Sequence, residues 1–156
     1  MVKLIMMNED DFEKYMENAV KEYAAEKVKA GTWCEHESLK LAQQSFNQLL
    51  AHGLETAGHY LFTIIDPDSN EKVGSLWFKE NQNLEGKEAF IYDFLIFKPY
   101  QGQGYGRQSL VELDKVVKKI GITKISLHVF AHNEVALKLY GKMGFFPTDI
   151  NMSKIL

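Results

Sequence analysis

At 156 residues, with 46% hydrophobic and 25% charged positions, the chain has the size and make-up of a single domain, residues 1–156, that buries a core without metal or disulfides. Its 18 basic and 21 acidic residues leave a formal net charge of -3, which argues against nucleic acid as a partner, because such binding rests on a basic excess. No apolar run reaches the roughly 20 residues of a membrane helix, and the lone Cys34 excludes an internal disulfide.

The opening Val2 to Met6 reads as a short strand, and Met1 to Met7 runs straight into Asn8-Glu9-Asp10-Asp11, unlike a secretory leader. The expectation is a cytoplasmic protein with a reduced thiol. Asn8 offers a capping oxygen with Asp11 three residues on, and Phe12, Tyr15, Met16, Ala19 and Tyr23 then recur at helical spacing as far as Gly31. A second helix carries Leu39, Ala42, Phe46, Leu49 and Leu50 and stops at His52-Gly53. Cys34 and His36 lack the further ligands of a metal site, so none is expected.

Tyr60 to Ile65 and Val73 to Phe78 read as strands joined by the turn Asp66-Pro67-Asp68-Ser69-Asn70, an antiparallel hairpin. Polar Lys79 to Lys87 reads as a link to the apolar run Ala89 to Phe97, a buried strand. A glycine-rich turn follows, and Gln108 to Ile120, with Leu110, Leu113, Val117 and Ile120 on one face, reads as a helix. Lys124 to Phe130 alternates as a half-buried strand and should lie parallel to the run before the helix. Ala136, Tyr140 and Met143 mark a last helix closed by Gly144, and Phe145 to Leu156 reads as a final strand with Pro147 early in it.

Lys98-Pro99-Tyr100-Gln101-Gly102-Gln103-Gly104-Tyr105-Gly106-Arg107 thus joins a strand to a helix N-terminus, where free backbone N–H groups and the helix dipole suit an anion. A nucleoside triphosphate loop fails, because Arg107 is followed by no Lys-Ser or Lys-Thr. A dinucleotide fingerprint fails as well, since Arg107 stands where the third glycine belongs.

What remains is Gln-x-x-Gly-x-Gly from Gln101, Gly104 and Gly106. With Leu127-His128-Val129, Asn133, Ala136, Leu139-Tyr140 and Met143-Gly144-Phe145 downstream, the chain resembles the GNAT acetyltransferase superfamily, as does its order of elements from end to end. The resemblance implies an α/β fold of the α+β kind: a mixed sheet of about six to seven strands, mostly antiparallel with a splayed parallel pair, flanked by about four helices. It implies acetyl-CoA as acetyl donor, its pyrophosphate on the amides of Gly102, Gln103, Gly104, Tyr105, Gly106 and Arg107, and its pantetheine along Leu95, Ile96 and Phe97. Glycine at Gly104 and Gly106 would then keep side chains off the phosphates or allow a left-handed backbone. Asn133 would contact the cofactor or cap its helix.

The resemblance also implies Tyr140 as the acid that protonates the departing thiolate. A lysine-like amine, with pKa about 10.4, costs about 4 to 5 kcal/mol to deprotonate at pH 7, and an α-amino group only about 1. Asp93 and His128 are the candidate bases, directly or through water, and an aspartate inside so apolar a strand requires a partner or a wet cleft. Trp33, Tyr23 and Tyr60 are candidates for the acceptor wall or for core. The expected activity is N-acetyl transfer to a small-molecule or peptide amine by direct attack, with a homodimer in keeping with the family. The alternatives are an acyl-CoA sensing module without catalysis, or transfer of another acyl group.

Overall fold

The side-chain oxygen of Asn8 accepts the N–H of Asp11 at 2.8 Å, and three acidic residues occupy the first turn of the helix it caps, where the dipole favours them. In the computed structural model, which describes residues 1–156, that helix is α1 (Glu9–Lys29), preceded by strand β1 (Lys3–Met6) and followed by α2 (Glu35–Leu49). Then come β2 (His59–Asp66), β3 (Glu71–Asn83), β4 (Gly86–Ile96), α3 (Tyr105–Lys119), β5 (Ile122–Leu127) and α4 (Glu134–Lys142).

The strands lie in sequence order in one sheet, antiparallel from β1 through β4, with β5 parallel to β4. On one face, Phe62, Ile64, Leu76, Phe78 and Ile91 pack with Leu110, Leu113 and Val117 of α3. On the other, Leu61 and Trp77 pack with Val20 and Ala24 of α1 and with Ala42 and Phe46 of α2. Each large side chain so buried contributes about 1.5–3 kcal/mol. The buried indole N–H of Trp77 donates to Nδ1 of His59 at 2.9 Å. Burial, with Lys79 nearby, pushes the His59 pKa down and so favours the neutral ring that can accept this bond.

Four boundaries differ from the sequence expectation. The segment Lys79 to Lys87 is the outer end of the β3–β4 hairpin, polar because it runs beyond the core; Lys87 pairs there with Glu80 at 3.0 Å. The helix α3 starts at Tyr105, before its apolar period becomes visible at Leu110. The strand β5 ends at Leu127, because β4 stops pairing with it there. Phe145 to Leu156 forms no strand, so the sheet has five strands and not six to seven. Apolar spacing alone supplies no hydrogen-bonding edge: Ile150, Met152 and Ile155 are 77 to 94% exposed, and β5 remains an edge strand.

Candidate active site

Pairing between β4 and β5 runs from Lys87↔Ile122 to Ile91↔Leu127 and then stops, while β4 continues to Ile96 with β3 on its other side. The edge of β4 from Tyr92 to Ile96 therefore has no strand against it. A cavity of about 170 Å³ sits where the strands part. Residues Ile91 to Phe94, Leu127 to Phe130, Asn133, Ala136 and Tyr140 line it, so Asp93, His128, Asn133 and Tyr140 come together as expected.

A β-bulge sets the aim of Asp93. Trp77 faces Asp93 and Phe78 faces Ile91, which leaves Tyr92 as the extra residue of β4. An inserted residue makes two successive side chains share a face. Tyr92 stacks on Trp77 at 4.8 Å between centroids and Asp93 meets Tyr15 of α1, whereas Ile91 and Phe94 both belong to the α3 face. Simple alternation along the strand does not reveal this step.

The Tyr15 hydroxyl donates to Asp93 Oδ2 at 2.7 Å. Burial holds the Asp93 carboxyl above the usual carboxylate range, and the bonds from Tyr15 and from the N–H of Phe94 act against that rise. Burial first, then the Asp93 charge, pushes the Tyr140 phenol up, so it is protonated at neutral pH. The Tyr140 ring meets Phe145 edge-on at 5.5 Å. His128 is exposed, with its ring 5.0 Å from Phe130. Asn133 caps α4, its Oδ1 accepting the N–H of Ala136 at 3.3 Å, and also reaches the cavity.

Beyond the open edge of β4 lies the glycine loop. None of the backbone N–H groups from Gly102 to Arg107 has an acceptor within the chain, and the first bond of α3 is Gln108 N–H to Gly104 O at 3.2 Å. Gly104 supplies the N-cap in a left-handed conformation, φ 86°. The first turn has no acidic residue, and Arg107 is exposed without an ion-pair partner. The cradle thus fits a pyrophosphate, and the open strand edge beside it fits an amide-bearing arm.

Several loop side chains are turned to other work. Gln101 donates to Ile96 O at 2.8 Å, which ties the loop to the end of β4 and occupies one carbonyl of the expected Leu95–Phe97 edge. Gln103 donates to Pro99 O, and the Tyr105 phenol donates to Asp66 Oδ2 at 2.7 Å, holding the Asp66 carboxyl below its usual range. Gly106 is helical, not left-handed. A Cβ there would sit 3.1 Å from Cδ2 of Leu139, so α4 passes close at this position.

The chain matches the Acetyltransferase (GNAT) family over residues 14–145. It belongs to the GNAT acetyltransferase family. The uncharacterized N-acetyltransferase YycN of Bacillus subtilis strain 168 is 46% identical, over 99% of each chain, and YdgE of the same organism is 35% identical, over 96% of this chain and 95% of YdgE. The crystal structure of YycN superposes with a TM-score of 0.88 at 44% identity, covering 100% of this chain and 99% of that one. The GNAT fold is thereby shown from end to end.

In this GNAT chain the three aromatics that are candidates for the acceptor wall or for core pack against the core and do not line the cavity. Tyr23 and Trp33 pack edge-on with each other beside Phe46, and Tyr60 stacks on Phe78 while its hydroxyl donates to Glu80. Cys34, His36 and Glu37 gather at the exposed start of α2 with donor atoms within 4.8 Å of one another, and none of them lines the cavity. No helix is long and apolar enough to cross a membrane. The residue missed from the sequence is Tyr15. It sits on an ordinary apolar helical stripe, and the sole hint was that Asp93, far along the chain, required a partner.

Proposed function

We propose that the protein is an N-acetyltransferase that takes the acetyl group of acetyl-CoA and passes it directly to a primary amine within a ternary complex. The observation that carries this reading is the convergence of Asp93, His128, Asn133 and Tyr140 at the parting of β4 and β5, beside a loop whose amides are free from Gly102 to Arg107. Acetyl-CoA supplies an acetyl carbon made electrophilic by its thioester, with a thiol as leaving group.

The free amides and Arg107 hold the pyrophosphate, and of the expected segment Leu95 to Phe97 the open edge of β4, which ends at Ile96, pairs with the pantetheine amides, since the Phe97 N–H is held by Val73 O at 2.9 Å. Asp93 takes a proton from the ammonium form of the acceptor; its half-buried carboxyl, raised above the ordinary range, is a better base than an exposed aspartate. His128 stands across the cavity as a second acceptor or a relay through water. As the C–N bond forms and the C–S bond breaks, Tyr140 gives its phenolic proton to the departing sulfur and recovers one from the acylated nitrogen. No cysteine lines the cavity, which favours direct attack over an acyl-enzyme.

The acceptor is a small-molecule or peptide amine. Incubating the protein with acetyl-CoA and a panel of polyamines, aminoglycosides, amino acids and short peptides, and weighing the products, tests the reading. Acetylated amine from at least one class is expected. Binding of acetyl-CoA with no acetylated product would indicate a sensing module.

A further inference from the structure

Tyr15 stands among Phe12, Met16 and Ala19 on the stripe of α1 that packs against the sheet. A phenylalanine would fill that space equally well, so the hydroxyl calls for its own account. It makes the one side-chain hydrogen bond that joins α1 to β4, and the acceptor is a carboxylate that lines the cavity. Docking of α1 does not depend on it, because Val20 and Ala24 are buried in the same interface and Asp11 bonds to Thr63 and Lys72. The bulge at Tyr92 is what turns Asp93 toward this helix.

We propose that Tyr15 is a positioning residue for acetyl transfer: by holding Oδ2 of Asp93 it fixes the carboxylate and leaves Oδ1 for the proton of the acceptor amine. The proposal rests on the N-acetyltransferase reading with Asp93 as base. Oδ1 has no side-chain donor of its own. Held at one oxygen, the carboxylate is restrained from turning away from the cavity, and a fixed base within hydrogen-bond reach is what proton transfer requires.

The same bond has a sign that can be read in pH. A donor to a carboxylate favours the charged form, so removing it raises the Asp93 pKa. The other groups that face Asp93 are Glu22 on α1, whose pKa burial first and then the Asp93 charge push up, Tyr140 on α4 and His128 just beyond β5. All three remain in place when Tyr15 is changed.

Tyr15→Phe keeps the ring and removes the donor. The acid limb of kcat/KM should move to higher pH by about one unit, which means about a tenfold loss below the limb, shrinking as pH rises. Affinity for acetyl-CoA should be unchanged. In an Asp93→Asn background the same change should have no further effect, because the two residues act as one unit. A 13C NMR titration of the Asp93 carboxyl in wild type and Tyr15→Phe reads the shift without turnover. An Asp93 titration that does not move overturns the proposal, as do superimposable pH profiles. If the wild type acetylates no amine, the transferase reading falls by itself, and the NMR titration alone decides whether Tyr15 controls Asp93.

Discussion

In β4 the carboxyl of Asp93 is half-buried, and burial places its pKa in the folded chain above its value in the unfolded one. Between those two values the folded state keeps a proton that the unfolded state has lost. Stability therefore falls as pH rises through that window, and the full penalty remains above it. Asp93→Asn accepts the Tyr15 bond without the charge. It should melt at a higher temperature than wild type at pH 7, the difference vanishing below the ordinary aspartate pKa of about 3.9, while acetyl transfer drops sharply. Thermal melts across pH check the first half and product formation the second. A lower melting temperature at pH 7 would mean that the charge is stabilising where it sits.

Two elements, α3 and α4, set the distance between the loop and Tyr140. Gly104 begins α3 in a left-handed conformation, and a side chain there costs about 1–2 kcal/mol. Gly104→Val should lower the melting temperature and weaken CoA binding, measured by calorimetry, because the amides of the first turn no longer converge. Gly106→Val acts differently. Its side chain would press on Leu139, one residue before Tyr140, so it should destabilise by about 1–3 kcal/mol and lower kcat more than it weakens CoA binding. Pairing it with Leu139→Ala should restore part of both. A Gly106→Val protein with unchanged kcat would separate the position of α4 from the chemistry.

Across the whole molecule, what was legible in the sequence followed from periodicity and from glycine. Apolar spacing placed the helices and the cores of strands β1 to β5 but missed the polar outer end of β3, and Gln101, Gly104 and Gly106 pointed to the loop whose free amides the fold presents. What was not legible depended on pairing across distance. Nothing in Ile91-Tyr92-Asp93 announces a bulge, because the extra residue is defined only against Trp77 and Phe78. In the sequence Tyr15 reads like any other core tyrosine, and nothing there shows that α4 passes close to Gly106. The expected last strand failed for a related reason: Ile150, Met152 and Ile155 are apolar, but no strand pairs with them.

In the proposed reaction Tyr140, a protonated phenol at the cavity, gives its proton to the departing thiolate, and free thiol released from acetyl-CoA in the presence of an accepted amine reports that event directly. Wild type should release thiol in proportion to the amine acetylated, and Tyr140→Phe should do so about 10²- to 10⁴-fold more slowly with its acetyl-CoA affinity kept. Equal rates from the two proteins would contradict the account.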